Sequence, residues 1–366
     1  MIRKIYHLLK RWISKYISHR MLKAETNKIK DKRRQKILSQ YVLSEEQKKQ
    51  IDKLFVSTYG KKVPYDWHRY YASYTGNFDA RFIPELIYIP VIEKKFNDER
   101  YAWVMSDKNL LAYFVGDSGK VRTPKVYLTC SNGYIRNSEN KIVDKKEAIE
   151  ILNNKKCFGK PTVDSCSGNM CAVYNFNDGI DQKTGKSICE IIDLMGRDFA
   201  FQEIISNCDS VKKIHPQSLN TFRITTYLWN NKVYHFPVIM RIGKGESVLD
   251  NAHQGGMFIG ITDSGNMCDC AFTEFQDRFY VHPDSGVEYK GYTVPETTRV
   301  IEAVENVHQK IPQIGMISWD VVVNDNDEVI IIEMNIRGQS VWLSQMAHGV
   351  GAFGENTEEV LKWISK

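Results

Sequence analysis

The sequence predicts an α+β protein built from two packed subdomains, with a helical N-terminal extension. Two β-branched runs, Val321–Val323 and Val329–Ile332, flank a short polar turn, which is typical of a β-hairpin. Residues 44–57 instead show helical spacing, and Ser44 with Gln47 forms a capping-box pattern at their start. A chain of 366 residues can bury roughly three quarters of its unfolded surface, which is enough for two subdomains.

Positive charge is concentrated at the front of the chain. Residues 1–36 hold thirteen Lys and Arg against two acids, a net +11; the whole chain is +6, so residues 37–366 sum to −5. No run of eighteen apolar residues occurs, so no transmembrane helix is expected, and the N-terminus does not match a secretory signal. We therefore expect a cytoplasmic protein whose eight cysteines are free thiols.

The N-terminal arm, residues 1–36, has the pattern of a basic amphipathic helix. Apolar side chains that include Trp12 and Tyr16 recur at helical spacing, and Lys and Arg fill most of the other face. One interpretation is a helix that lies on the anionic inner face of a membrane. The other is a helix that packs its apolar stripe on the body and leaves its lysines in water. The charge alone would also suit nucleic acid, but no base-reading motif accompanies it, so no nucleic-acid partner is expected.

The predicted hairpin carries three oxygen ligands. Folding it symmetrically about its turn places Asp320 opposite Ile331. Because side chains alternate along a strand, Asp320, Glu333 and Asn335 then share one face. Two close carboxylates repel each other unless one is protonated or a cation lies between them. This set suits Mg²⁺, which takes its remaining ligands from water and substrate phosphates, whereas the alternative is an ordinary hairpin whose polar residues face water.

Basic residues in two further strands need anionic partners. Lys160 ends a predicted strand and precedes the small, polar loop 164–169. Such a loop can place backbone N–H groups beside the ammonium group on a polyphosphate. Arg223 lies in a predicted strand between apolar neighbours, and a buried guanidinium requires an anion nearby.

An Asp in a strand, followed thirteen residues later by Glu-x-Asn, resembles the second-subdomain metal site of the ATP-grasp ligases. Other short motifs are similar to those of the sugar-transfer-associated branch of this superfamily, and the resemblance spans roughly residues 45–364. They are Trp67 with Tyr70-Tyr71, Asp107-Lys108-Asn109, Asn220-Thr221-x-Arg223, Arg241-x-Gly243 and Asp250-Asn251 with Gly255-Gly256. The resemblance implies an ATP-grasp fold, in which two α+β subdomains clasp ATP.

The resemblance also implies the residues that bind ATP. They are Lys108, Lys160, Ser167, Gly168, Gln202, Glu203, Ile204, Ile205 and Asp209. The lysines would reach phosphate oxygens, and the loop at 164–169, which has fewer glycines than family loops, would donate to the same phosphates. Gln202 would face the adenine amino group, the backbone of the two isoleucines would contact the adenine edge, and Asp209 would hold the ribose.

On the substrate side, the resemblance implies that Arg241 braces the transferred phosphoryl group, with Arg223 and Asn251 beside it. Two Mg²⁺ ions would bind at the hairpin. The implied reaction is carboxylate activation by ATP followed by attack of an amine or hydroxyl, and family context points to an amino acid or a sugar of cell-surface polysaccharide. A small-molecule or sugar kinase on the same fold and a non-catalytic ATP-binding scaffold are the alternatives.

The predicted organisation has four parts. They are the basic arm at 1–36, a helical and aromatic-rich region at 37–100, a first ATP-grasp subdomain at 101–200, and a second at 201–366 that carries the metal and substrate site.

Overall fold

The protein is described by a computed structural model that covers four stretches of the chain. They are residues 2–116, 119–163, 170–245 and 255–366, without the side chains of residues 2–11, 13–15 and 18. The predicted site residues Ser167, Gly168 and Asn251 lie outside the described residues, as does most of the apolar stripe of the arm.

Helices form the N-terminal region and cover parts of two sheets. They are α1 (Ile2–Ile29), α2 (Lys32–Leu38), α3 (Glu45–Tyr59), α4 (Asp66–Thr75), α5 (Glu85–Ile87), α6 (Lys94–Phe96), α7 (Glu99–Met105), α8 (Leu111–Val115), α9 (Lys145–Leu152), α10 (Ile188–Met195), α11 (Asp209–Lys212), α12 (Thr297–His308), α13 (Trp342–His348) and α14 (Thr357–Ile364). A π-helical turn spans Tyr88–Glu93, and 3₁₀ turns span Lys108–Leu110 and Gly354–Asn356. The predicted capping box at Ser44 and Gln47 is confirmed at the start of α3.

The strands follow the helical region and alternate with the later helices. They are β1 (Val121–Arg122), β2 (Val126–Ser131), β3 (Tyr134–Asn137), β4 (Lys156–Pro161), β5 (Ala172–Asn177), β6 (Ile180–Asp181), β7 (Phe199–Gln202), β8 (Thr221–Trp229), β9 (Lys232–His235), β10 (Val238–Ile242), β11 (Met257–Ile261), β12 (Ala271–Phe272), β13 (Arg278–Phe279), β14 (Met316–Val323) and β15 (Val329–Asn335).

Within the described ranges, these strands form a larger and a smaller sheet. The larger has the order β1-β15-β14-β8-β10-β11-β12-β13, with β9 paired to β8, and the smaller has the order β3-β2-β7-β4-β5-β6. The α+β class predicted from the sequence is therefore confirmed. β7 runs across residue 200 and β1 joins the larger sheet, so the predicted division of the chain at that residue stays a proposal.

The smaller sheet has one apolar face and one polar face. Phe199 and Phe201 of β7 point into a core formed with α9 and α10. Because side chains alternate along a strand, Ala200 and Gln202 point to the opposite side. Lys160 of β4 pairs with Ala200 across the ladder and shares that second face.

The hairpin β14–β15 has a different register from the symmetrical one predicted. Asp320 pairs with Glu333, and Val321 pairs with Ile331, with an irregularity between the two pairs. Ile332 is therefore an extra residue on β15, as in a β-bulge, and the prediction that Asp320 lies opposite Ile331 was wrong. The bulge turns Ile331 to the apolar core beside Val321 and leaves Glu333 beside Asp320.

Aromatic residues of the N-terminal region share one hydrophobic core with side chains of the larger sheet. Trp67, Tyr70 and Tyr71 of α4 are almost completely buried, and they pack with residues of α2, α3 and the larger sheet. The C-terminal helix α14 packs on α3, and its Trp363 ring contacts Phe96. The N-terminal region is thus joined to the larger sheet by packed side chains.

Candidate active site

Asp320 lies in the larger sheet between two arginines from neighbouring strands. Arg223 is its cross-strand partner on β8 and donates Nε and Nη2 to the two carboxylate oxygens, at 2.5 and 2.9 Å. Arg241 of β10 places Nη2 3.2 Å from Oδ1 of Asp320, and Thr221 Oγ1 accepts from Arg241 Nε at 3.0 Å. Burial opposes ionisation of Asp320, but the two guanidinium groups outweigh it and hold the pKa of this carboxyl below its ordinary value.

The anionic partner that the sequence required for Arg223 is therefore Asp320. Arg223 is less buried than its sequence pattern predicted, because 25% of its side chain is exposed. Bidentate pairing of a guanidinium with a carboxylate is geometrically specific and holds both groups in one orientation.

Two lysines from the part of the chain around the smaller sheet contact β15 at Glu333 and at the neighbouring bulge. Lys108 follows the N-cap residue Asp107, and its Nζ lies 3.2 Å from Oε1 of Glu333. Lys160 is only 7% exposed, and its Nζ donates a long hydrogen bond of 3.5 Å to the carbonyl of Ile332, the extra residue of the bulge. Burial lowers the pKa of Lys160, and the charge of Glu333 opposes that shift.

Six ionisable side chains thus converge between the two sheets, and we refer to them as the charged cluster. They are Lys108, Lys160, Arg223, Arg241, Asp320 and Glu333. With all six ionised, the cluster carries two more positive than negative charges. Such an excess in a partly buried site favours a bound polyanion.

The predicted metal ligands lie together but are not equally available. Asn335 donates Nδ2 to Asp320 Oδ2 at 3.3 Å and to the Ser318 carbonyl at 3.2 Å, which leaves Oδ1 as its ligand atom. Glu333 uses one oxygen toward a lysine. Each oxygen of Asp320 already has two N–H partners, Arg223 with Arg241 at Oδ1 and Arg223 with Asn335 at Oδ2, so Asp320 could reach a cation only after one of them moves. The set fits Mg²⁺ through Glu333 and Asn335, with Asp320 as a conditional third ligand.

The segment predicted as the hinge connects the two sheets physically. Glu203 follows Gln202 at the end of β7, and its carboxylate pairs with Arg122 of β1 and accepts the N–H of Lys125 at 2.7 Å. Nη2 of Arg122 also lies 2.8 Å from Oε2 of Glu328, the residue that precedes β15. The carboxylate of Glu203 is therefore engaged in fastening the sheets together, a role that the sequence did not indicate.

The other hinge residues lie along the same segment. Gln202 is buried on the polar face of the smaller sheet, Ile204 is exposed and Ile205 is half-buried. Asp209 is exposed at the first residue of α11. Their roles toward adenine and ribose stay predictions, as do those of the two lysines toward phosphate.

A cluster of two histidines and an aspartate, which the sequence did not indicate, contacts the segment that follows β10. His215, His282 and Asp284 place one ligand atom each within 4.8 Å of one another. His282 Nε2 donates to the Gly243 carbonyl at 3.1 Å, and Asp284 accepts the N–H of Gly245 at 2.7 Å. These contacts hold the backbone that leads from Arg241 toward residues 246–254. Both histidines precede a proline, a repeated dipeptide that could have drawn attention to them.

This histidine cluster is better suited to holding the backbone at residues 243–245 than to binding a metal. His282 Nδ1 already accepts the N–H groups of Asp284 and Ser285 at 3.2 and 3.3 Å, so neither of its nitrogens has a lone pair to offer. His215 is buried, and its ring nitrogens have no partner among the described residues. Burial lowers the pKa of both imidazoles, which therefore stay neutral near pH 7.

Comparison with protein families matches residues 91–361 to the family described as sugar-transfer associated ATP-grasp. A search of curated proteins finds no match. Among solved structures, the ATP-grasp ligase PsnB with minimal precursor, Mg and ADP is similar over 74% of this chain and 62% of that chain, at TM-score 0.41 and 10% identity.

Two further solved structures show a likeness of the same order. VanG D-Ala:D-Ser ligase from Enterococcus faecalis is similar over 71% of this chain and 60% of that chain, at TM-score 0.39 and 12% identity. N5-carboxyaminoimidazole synthetase from Staphylococcus aureus with ADP is similar over 64% and 45%, at TM-score 0.36 and 13% identity. This chain spans less than two thirds of each of these structures, and likenesses this remote carry no argument about its substrate.

The family match covers more than half of the chain and includes every residue of the charged cluster. It confirms the resemblance stated from the sequence. The chain belongs to the sugar-transfer associated ATP-grasp family.

Proposed function

We propose that the protein uses ATP to activate a carboxylate and joins it to an amine or hydroxyl, forming an amide or an ester. The observation that carries this proposal is the charged cluster, which gathers four cationic and two anionic side chains between the two sheets. A bound triphosphate brings the negative charge that the cluster lacks, and guanidinium and ammonium groups are the usual partners of phosphate.

The nucleotide would lie between the sheets. Lys108 and Lys160 would contact its phosphates, while the 164–169 loop with Ser167 and Gly168 would donate backbone N–H groups to them. Gln202 and the backbone of residues 203–205 would contact the adenine, and the exposed Asp209 would reach the ribose. Because Arg122 ties Glu203 to the larger sheet, the hinge would hold the adenine in a fixed position relative to the cluster.

Glu333 and Asn335 would hold Mg²⁺, and we propose two ions, with Asp320 as a further ligand. Bound there, Mg²⁺ would neutralise charge on the phosphates and polarise the phosphoryl group. The chain itself would supply orientation: the bulge at Ile332 aims Glu333 into the site, and Asp320 fixes Arg223 and Arg241 close by.

The proposed reaction has two steps. A carboxylate oxygen of the substrate attacks the γ-phosphorus of ATP, which gives an acyl phosphate and ADP. The nitrogen or oxygen of the acceptor then attacks the acyl carbon, phosphate leaves, and the acceptor proton is lost to solvent. Arg241, with Arg223 and Asn251, would stabilise the charge that develops on the transferred group, and positioning with electrostatics supplies the catalysis.

The substrates we propose are a small carboxylate, such as an amino acid, and an amine or hydroxyl acceptor, such as a sugar of cell-surface polysaccharide. The family description, which associates these proteins with sugar transfer, supports this choice. A kinase on the same fold would use the same ATP-site residues, and it differs only in ending at a phosphorylated acceptor.

The experiment is product analysis with ATP, Mg²⁺ and pooled amino acids and nucleotide sugars, with and without hydroxylamine. An acyl phosphate reacts with hydroxylamine to give a hydroxamate, so a ligase should release ADP and form a hydroxamate. A stable phosphorylated acceptor without hydroxamate would identify a kinase and refute the ligase.

The matched binding test uses Lys160→Ala. This variant should bind ATP more weakly by about 1.5–3 kcal/mol, because one charge-assisted contact is lost. Lys232→Ala, at the exposed start of β9, is the control and should bind ATP as the unmodified protein does. Unchanged affinity in Lys160→Ala, measured by calorimetry, would remove this lysine from the phosphate site.

A further inference from the structure

Among the described side chains of the long helix α1, those that pack on the body belong to its C-terminal half. Ile29 and Glu25 are buried, at 4% and 5% exposure, and Met21 packs against the same core. The following helix α2 extends this anchor, because Arg34 pairs with Glu274 and its guanidinium lies over the ring of Trp342. The root of the arm is therefore fixed on the protein.

Further toward its N-terminus, the same helix exposes large aromatic side chains. Trp12 is 67% exposed and Tyr16 is 52% exposed, and their rings stack with centroids 6.0 Å apart. The spacing of four residues places both rings on one face of the helix, where they form an exposed aromatic patch.

The aromatic patch cannot share the face that anchors the helix. Trp12 and Glu25 are thirteen residues apart, as are Tyr16 and Ile29, which at 3.6 residues per turn is a rotation of about 140° around the axis. The anchored side of α1 faces the body, so the aromatic side faces away from it. The exposure of Trp12 and Tyr16 disagrees with the alternative in which these two side chains pack on the body.

Charge follows the same division. Residues 1–24 contain seven Lys or Arg and no acid. The two acids of the arm lie in its root and are engaged there: Glu25 pairs with Lys28 at 2.6 Å, and Asp31 caps α2 and pairs with Arg33. The charged side chains at 1–24 are therefore all cationic, and the described ones, Arg20 and Lys23, are exposed like the aromatic patch.

We propose that residues 2–24 dock the protein on an anionic phospholipid surface. An interfacial helix places Trp, Tyr and Ile at the boundary between headgroups and acyl chains, while its Lys and Arg are attracted to anionic lipids. A nucleic acid would also match the charge, but no base-reading motif accompanies it in this chain. No helix in the described part of the chain combines the length and apolar character needed to cross a bilayer.

Docking of this kind is independent of the proposed reaction, because it rests on α1 alone and its test measures lipid binding. Ile29 and Arg34 hold the root of the arm on the body. Lipid binding by the arm would therefore set the distance and orientation of the proposed active site relative to the bilayer.

The test is co-sedimentation of the full-length protein with vesicles of phosphatidylcholine, alone or with about one third phosphatidylglycerol. The protein should pellet with the anionic vesicles and remain in solution with the neutral ones. The double substitution Trp12→Glu with Tyr16→Glu should lower the apparent affinity by about tenfold or more. The control Tyr134→Glu changes an equally exposed aromatic on β3 and should leave binding unchanged.

A second variant separates charge from aromatic contact. Arg20→Glu with Lys23→Glu reverses two exposed positive charges and should also weaken binding, more so at about 0.1 M than at about 0.5 M salt. Equal pelleting of the unmodified protein and the Trp12/Tyr16 variant would overturn the proposal, provided that both show the same thermal unfolding. Lipid-independent dimerisation that the same variant abolishes would overturn it too, because the patch would then bind a second copy. Retention on nucleic acid without any vesicle binding would overturn it in favour of a nucleic-acid surface.

Discussion

Two regions of this protein compensate buried carboxylates in opposite ways. In the charged cluster, Asp320 is met by the guanidinium groups of Arg223 and Arg241. In the N-terminal region, Glu85 and Glu93 are met by backbone and hydroxyl donors of the segment 338–342.

The consequence is a different ionisation behaviour in each region. The arginines keep the pKa of Asp320 low despite its burial. Burial raises the pKa of Glu85 and of Glu93 to about 7, and the neutral donors around them oppose it only in part. The carboxylate beside the proposed phosphate site is thus compensated by full charges, whereas the two that hold the segment 338–342 are compensated by dipoles.

The two regions are joined by the chain itself. Asn335 ends β15 inside the active site, and a few residues later Gly338 and Gln339 donate their N–H groups to Glu93 at 2.9 and 2.6 Å. The segment that leaves the proposed metal site is therefore held by groups that titrate near neutral pH.

Removing the charge of Asp320 should have the largest effect. Asp320→Asn keeps the shape but leaves Arg223 and Arg241 without an anion, and breaking a buried pair in this way costs about 3–5 kcal/mol of unfolding free energy. Urea unfolding measures the loss. The control Asp327→Asn removes an exposed carboxylate that also pairs with two cations, Arg299 and Lys120, and should cost much less because water screens exposed pairs. Equal losses in the two variants would show that the arginines are compensated elsewhere.

Glu333→Gln should act on catalysis and spare the fold. Its carboxylate is partly exposed and pairs with one lysine, so its removal should change unfolding free energy by less than about 1 kcal/mol. Loss of a metal ligand and of charge in the site should lower kcat by about 100-fold or more. Steady-state kinetics over a range of Mg²⁺ concentrations measures this effect, with Glu288→Gln at the surface as control. Full activity of Glu333→Gln would remove it from the proposed metal set.

Several features of the fold and the site could be predicted from the sequence because they are local. The strands around the polar turn, the capping box at Ser44 and the core aromatics of α4 depend on residue type and spacing within a few positions. The need of Arg223 for an anion was also visible, but its partner was not. Asp320 is 97 residues away, and only the pairing of β8 with β14 brings them together.

Features that depend on backbone irregularity or on very short elements were missed. The bulge at Ile332 changes the hairpin register, and nothing in its apolar neighbours indicates it. Arg122 lies in a two-residue strand too short to produce a periodic signal, although it ties Glu203 to Glu328 between the sheets. For the arm, periodicity predicted the helix, but only the packing of its root shows which side faces the body.

The raised pKa of the buried Glu85 predicts that the stability of the protein depends on pH. The native state holds a proton on Glu85 up to about pH 7, whereas the unfolded chain loses it near the ordinary value of 4.5. The contribution of this group is therefore fully present below pH 4.5 and is lost as the pH rises to about 7. Between pH 5 and pH 8, Glu85→Gln should lose less unfolding free energy than the unmodified protein, by up to about 3 kcal/mol.

Urea unfolding at several pH values measures this difference. Gln keeps the oxygen that accepts from Ser340, Val341 and Trp342, so the variant should still fold. The exposed Glu46→Gln is the control and should follow the unmodified protein at every pH. Parallel curves for Glu85→Gln and the unmodified protein would mean that Glu85 is ionised in the native state across the whole range.

The smallest expected effect tests the shape of a cation rather than its charge. Arg241→Lys keeps a positive charge near Asp320, so stability should change by less than about 1 kcal/mol. Lysine lacks the planar fork that lets Arg241 contact Thr221 and Asp320 together and that we propose also meets the transferred phosphoryl group. We therefore expect kcat to fall by about 10–100-fold with little change in ATP affinity, because the lost interaction strengthens only in the transition state. Arg299→Lys, which alters a bidentate pair on the surface, is the matched control and should leave kcat unchanged. If Arg241→Lys instead weakens ATP binding at constant kcat, the guanidinium acts on the bound nucleotide, and Asp320 with its two arginines is a binding site for ATP rather than a device for phosphoryl transfer.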